Sequence, residues 1–195
     1  MIDTAGRNIG VRLGPPGTEP LVTRVTRQML LAAGTPVATD GIRIAPHIVL
    51  VVGERPAGPG VTATEAMAAV RSVHAGLELL DASGDAAATR VVIGGVERRP
   101  YEVDLSLEAC VLSVNGVVVD SATGAAVHGH PGQALAFAAD ALGGLAPGTM
   151  VFTGGMTDAV PVSPGEQVAA EFTHLGNLVI GGARTLPQRN GGHSD

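Results

Sequence analysis

The chain contains no lysine, and its twelve basic side chains are all arginines. That absence excludes a Schiff-base amine, a lysine general base and a phosphate-binding P-loop. Tryptophan is missing as well, and aromatics make up 2% of the residues (Tyr101, Phe137, Phe152 and Phe172), so the core must be built from Val, Leu, Ile and Ala. A single cysteine, Cys110, rules out an internal disulfide and fits a reducing compartment. The net charge of -6 leaves too little positive charge to neutralise a run of phosphates, which argues against a nucleic-acid partner. No apolar run is long enough to span a bilayer, and "MIDTAGRNIG" lacks the apolar segment of a signal peptide, so the expected location is the cytoplasm, with no membrane partner. The serine elbow, CxxC, HExxH and GxGxxG motifs are also absent, which removes support for the common hydrolase, redox, zincin and dinucleotide readings.

What is present is a 195-residue chain, 45% apolar and rich in Gly, Ala, Val, Arg and Pro, the pattern of a high-GC coding bias. That length suffices for one domain with a full core. Leu21, Val22, Val25, Met29 and Leu30 give the segment 20–33 an apolar helical face ending at Gly34. "IVLVVG" (48–53) reads as a strand. Thr62-x-x-Glu65 is a capping box, and Met67, Val70 and Leu77 recur near helical spacing, so a helix is expected before "LELLD" (77–81) becomes extended. A long alternating strand is expected over 104–114. Asn115-Gly116 then marks a hairpin, since both residues tolerate positive φ. "PGQALAFAADAL" (131–142) predicts a largely buried helix with Pro in its first turn. "MVFTGG", "QVAAEF" and "LVIGG" add three strands. Many strands with two or three flanking helices, not strictly alternating, predict an α+β fold on a mixed, rolled or barrel-like sheet.

Four local features carry polar chemistry. His128-Gly129-His130-Pro131 places two histidines where they can chelate a metal or shape a helix start. Thr153-Gly154-Gly155 follows a strand and offers backbone N–H groups to an anion, or forms a plain tight turn. Glu78 and Asp81 enter a leucine-rich strand, so each is paired, metal-bound, acting as acid or base, or turned to solvent at a strand edge. His47 stands at the head of an apolar run, where a hydrogen-bonded core histidine is the plainer alternative.

"GAAVHGHPGQALAFAADAL" followed by "LAPGTMVFTGGMTDAVPVSPGEQVAAEFTHLGNLVI" resembles the C-terminal half of 2-keto-4-pentenoate hydratases and 4-oxalocrotonate decarboxylases, within the fumarylacetoacetate hydrolase-like superfamily. "GPGVTATEAMAAVRSVHAGLELLD" and "RIAPHIVLVVG" extend the likeness over most of 42–182. The organisation expected from it is a divergent segment over 1–41 lacking the family's N-terminal helical part, a β-roll domain over 42–182 and a flexible tail over 183–195. The resemblance implies a divalent cation, Mg²⁺ or Mn²⁺, held by a Glu-x-Glu pair and a third carboxylate, polarising a short oxo or enol acid beside a proton-moving lysine. In this sequence the pair falls on Ala45 and His47, the third ligand on Glu78, and the lysine on Asn8.

With two of three carboxylates gone, the expectation is that no cofactor is needed, Mg²⁺ or Mn²⁺ entering only if the chain is an ordinary hydratase. The favoured function is metal-independent acid/base chemistry on an oxo, enol or polyketide-like small molecule: tautomerisation, dehydration, cyclisation or decarboxylation, with specialised metabolism as the expected setting. Its catalytic candidates are His47, Glu78, His130 and Asp81, and its substrate-binding candidates Thr153, Gly154, Gly155 and Asn8. An ordinary Mg-dependent hydratase-type lyase and a non-catalytic partner subunit or binding module are the alternatives. The likeness also implies a homo-oligomer.

Overall fold

A computed structural model describes residues 6–14, 21–32, 34, 35, 37, 41–56, 58–81 and 88–181. The tail over 183–195, expected to be flexible, lies outside the described residues. The strands are β1 (Asn8–Leu13), β2 (Val22–Thr26), β3 (Leu30–Leu31), β4 (Ile42–Val52), β5 (Val70–Asp81), β6 (Arg90–Ile93), β7 (Ala109–Val114), β8 (Val117–Thr123), β9 (Met150–Phe152), β10 (Val160–Val162), β11 (Gln167–Phe172) and β12 (Gly176–Gly181). The α-helices are α1 (Ala63–Ala68) and α2 (Pro131–Leu142).

The larger sheet runs β2-β1-β9-β4-β5-β6-β3, with β10 also on β4, and the smaller runs β12-β11-β7-β8. Both parallel pairs, β1 with β9 and β3 with β6, lie in the larger sheet, so the expected mixed α+β sheet is what forms. β4 and β5 are its spine, paired antiparallel along nearly their whole length. Burial on both faces explains why "IRIAPHIVLVV" shows no clean polar alternation. On one face Ile44, Ile48, Leu50, Leu77 and Leu79 join the main core with Leu112, Val168, Ala170 and Ile180 of the smaller sheet. On the other, Val49 packs with Val25, Val91, Met29 and Phe152 into a second apolar cluster inside the roll.

The local signals that hold do so for local reasons. Asn115 and Gly116 adopt φ of 51° and 80°, and β7 and β8 close as a hairpin around them. The helix α2 occupies the expected residues and ends at Gly143 in the left-handed region, φ 67°. In α1 the Thr62 hydroxyl accepts from Glu65 N, while the Glu65 carboxylate accepts from Thr62 N at 2.8 Å.

One expected helix is overturned and another is cut short. Residues 22–26 form β2, because Val22, Thr23, Val25 and Thr26 are β-branched and pair with β1. The helix after Thr62 stops at Ala68, and residues 70–81 are strand. There Val70 and Val73 are β-branched, and eleven aligned partners on β4 outweigh a partial helical period.

Candidate functional site

Glu78 is held in the middle of the sheet, opposite Ala45 on β4 and Val91 on β6. Its side chain points into the roll with only 6% of its surface exposed. A carboxylate so deep needs partners, and two converge on it. Arg12 Nη1, from β1, donates to Glu78 Oε1, and His47 Nε2, from β4, lies 3.2 Å from Glu78 Oε2. Burial alone would raise the Glu78 pKa, but His47 and Arg12 outweigh it and hold the carboxyl below its ordinary value.

His47 is fully buried and sits edge-on to Phe152, ring centres 5.9 Å apart. Its cross-strand partner is Gly76. A Cβ at Gly76 would lie 2.5 Å from Val49 Cγ2 and 3.3 Å from the Phe152 ring, so glycine is what lets this packing close. Among the described residues neither ring nitrogen of His47 has a hydrogen-bond partner of good geometry, and neither has Arg12 Nε.

Pro46 is accommodated by strand geometry. Its carbonyl accepts from Met156 N at 2.8 Å, on the side away from β5. The missing N–H points the same way in an antiparallel strand, so no bond to β5 is lost. Ile48 O receives both Thr153 N at 3.2 Å and Thr153 Oγ1 at 2.9 Å. These bonds lay the 153–156 segment along β4 and bring Gly155 to the site.

The site opens into a cavity of about 430 Å³ lined by Arg12, Arg43, Ala45, Glu78, Gly155 and Asp158, among others. Of the residues the sequence singled out, the structure brings together Glu78, Ala45 and Gly155 at the cavity, with His47 directly behind Glu78. The others lie elsewhere. Thr153 and Gly154 are buried beside the cavity, the Thr153 hydroxyl being committed to Ile48. Asn8 is exposed at the start of β1, four residues before Arg12. His130 caps α2, its Nδ1 accepting from Gly132 N at 2.9 Å, and lines a separate cavity with Met67 and Leu105. Asp81 is an odd number of residues from Glu78 on β5 and so faces the other side of the sheet. His128, two residues before His130 in the same motif, has its ring edge-on to Phe137 at 5.4 Å.

Sequence reading missed Arg12 and Arg43. A signal existed for Arg43, which stands two residues before Ala45 and so shares its face of β4.

The chain as a whole is similar to known proteins. Residues 26–180 match the model of the fumarylacetoacetate (FAA) hydrolase C-terminal domain. The chain belongs to the fumarylacetoacetate hydrolase family. It is 31% identical over 153 residues to a 4-oxalocrotonate decarboxylase of Pseudomonas putida, covering 70% of this chain and 58% of that one. To a 2-hydroxyhexa-2,4-dienoate hydratase of Comamonas testosteroni it is 30% identical over 140 residues, covering 63% and 53%. The chain thus spans less than two thirds of the length of these curated relatives. Among solved structures, the 4-oxalocrotonate decarboxylase of Pseudomonas putida G7 with calcium and acetate superposes with a TM-score of 0.82 at 28% identity, over 89% of this chain and 77% of that one. The fumarylacetoacetate hydrolase fold is therefore shared along nearly the whole described chain, and no helix among the described residues is long and apolar enough to cross a membrane.

One expectation is corrected by these family members. The absence of a cofactor, inferred from the lost carboxylates, does not stand: the same decarboxylase has also been solved with magnesium and adipate, at 26% identity and a TM-score of 0.80. A fumarylpyruvate hydrolase of the same fold holds Mn²⁺ and pyruvate. Divalent metal use belongs to the family, and counting lost carboxylates was insufficient because a cation takes ligands from substrate, water and nitrogen as well.

Whether this chain's residues suit such a cation is decided by its own donors. Among the described residues no cluster of three or more His, Cys, Asp or Glu is placed to hold a metal. Glu78 and His47 offer two donors, and the unpartnered Nε2 lies 3.2 Å from the carboxylate oxygen. That is the separation of neighbouring ligands on one cation with bonds of about 2.1 Å. The pair therefore fits a cation that accepts nitrogen beside oxygen.

Proposed function

We propose that this chain performs acid/base chemistry on a short oxo or enol carboxylic acid, the common element of hydration, decarboxylation and tautomerisation. One observation carries the reading: a buried, ionised glutamate, bracketed by Arg12 and His47, forms the floor of a cavity large enough for such a molecule.

Each residue has a distinct task. Glu78 Oε1 and Oε2 are the acceptors for a proton leaving the enol oxygen or an attacking water. Arg12 lines the cavity beside them, keeps the carboxylate ionised and lends positive charge to a developing enolate oxygen. His47 lies behind the carboxylate, outside the cavity, and is a positioning residue whose Nε2 packs 3.2 Å from Glu78 Oε2. A divalent cation, when bound, would take the Glu78 carboxylate as its ligand at the cavity and would supply Lewis-acid stabilisation of the enolate. Gly155 keeps the wall open, since an added Cβ would lie 2.9 Å from Thr157 O.

The chemistry of the hydratase and decarboxylase relatives supports this class of reaction. The test is loss of dienol absorbance with 2-hydroxypenta-2,4-dienoate and 2-hydroxyhexa-2,4-dienoate, with and without added divalent metal. Turnover that falls about a hundredfold or more in Glu78→Gln is expected. Full activity in Glu78→Gln, or no turnover of any oxo or enol acid under either condition, overturns the reading.

A further inference from the structure

A second concave surface lies between α1 and the segment 99–105. Two cavities of about 440 and 330 Å³ adjoin there and share Thr64, Met67 and Pro100 as walls. Arg71, which lines this groove, is an odd number of residues from Glu78 along β5 and so faces the other side of the sheet from the Glu78 cavity. The floor is apolar, from Met67, Val70, Val103 and Leu105. Beside it stands Tyr101, the one tyrosine of the chain and 74% exposed. Its hydroxyl accepts from Arg99 Nη1 at 2.7 Å, which orients the ring without covering it. The two ends of the groove differ in charge, with Arg71 and Arg99 at one and Asp104 and His130 at the other. Glu102 and Glu97 already attend Arg99, but among the described residues no carboxylate lies within ion-pair distance of Arg71. Asp104 accepts from Ser106 N and Oγ, neutral donors that leave its charge uncancelled. His130, near it, has Nδ1 accepting from Gly132 N, the bond of a neutral imidazole.

We infer that this groove is an isologous interface between two copies of the chain, each laying its Tyr101 between Met67 and Pro100 of the other. A patch positive at one end and negative at the other is its own complement under a two-fold axis, because Arg71 of each copy then meets Asp104 of the other. A ligand of a single sign would match one end only. Arg71 and Asp104 are both exposed in the single chain and equally screened there, so they set register and encounter rate. Affinity comes instead from the aromatic ring and the apolar floor, which leave water on association. Two short segments supply the whole patch, fewer than the roughly 20–30 residues a side of a standard interface, so a dissociation constant on the order of 10 μM is expected.

The experiment is sedimentation equilibrium of the full chain over roughly 1–300 μM, at low and high salt, which brackets that constant. The wild type is expected to pass from monomer to dimer across the range. Tyr101→Ala should weaken the dimer about tenfold or more at unchanged melting temperature, since the ring is exposed in the single chain. Arg71→Glu, which sets like charges against each other, should weaken it about tenfold at low salt and less at high salt. Adding Asp104→Asn to Arg71→Glu keeps an acceptor for Ser106 and should recover part of that loss. A chain that stays monomeric throughout, or an assembly of any size that Tyr101→Ala and Arg71→Glu leave equally strong, overturns the inference. None of these side chains lines the Glu78 cavity, so the interface stands or falls separately from the proposed reaction.

Discussion

Replacing Glu78 by Gln removes one negative charge from a site that holds two potential positive ones. The Arg12 side chain keeps only 15% of its surface exposed and that of His47 none, so a neutral amide leaves the guanidinium largely out of water without a counter-charge. Breaking a buried pair in this way costs about 3–5 kcal/mol. Arg12 borders the cavity and regains some water there, which places the expected loss near the lower end, about 3 kcal/mol. For a chain of this size that lowers Tm by roughly 6–12 °C. Urea unfolding should show a lower midpoint at unchanged slope. Replacing both partners, Arg12→Met with Glu78→Leu, should recover most of the loss, because an apolar pair leaves no charge stranded. A Glu78→Gln chain as stable as wild type, or a double variant no better than the single, would refute the argument that the pair compensates its own burial.

Further outcomes follow from neighbouring features. Gly76→Ala should cost about 1–3 kcal/mol by overpacking, read by urea unfolding, since the new methyl would meet Val49 Cγ2 at 2.5 Å. His128 has its pKa lowered by burial. Below the unfolded-state value of about 6.5 the unfolded chain binds the proton more readily, so stability falls as pH drops through that point; His128→Asn, which tolerates the φ of 50°, should flatten the curve between about pH 7 and 5. Zinc should bind more tightly than magnesium by calorimetry, because one of the two donors is imidazole, and His47→Ala should remove the difference.

Much of the fold was legible because its signals are local. Asn115-Gly116 dictates a hairpin by φ alone, and Pro131 opens α2 whatever lies around it. The segments misread as helix, 20–33 and the run beyond Ala68, are those where pairing with a distant strand overrode a local period. The site divides along the same line. Ala45 and His47 were placed on one face by period-two alternation, and the likeness to the family put Glu78 beside them.

By itself the sequence determined which chemistries are unavailable, lysine chemistry foremost, together with the turns, the capping box of α1 and the membership of the β4 face. Tertiary structure alone decided that Arg12 answers Glu78, since the two are 66 residues apart and on strands separated in the sheet by β9 and β4. It also decided that His130 caps a helix away from the cavity. The reason is physical: a period or a cap is set by a few bonds between near neighbours. Which charge meets which inside a roll depends on the register and curvature of the whole sheet.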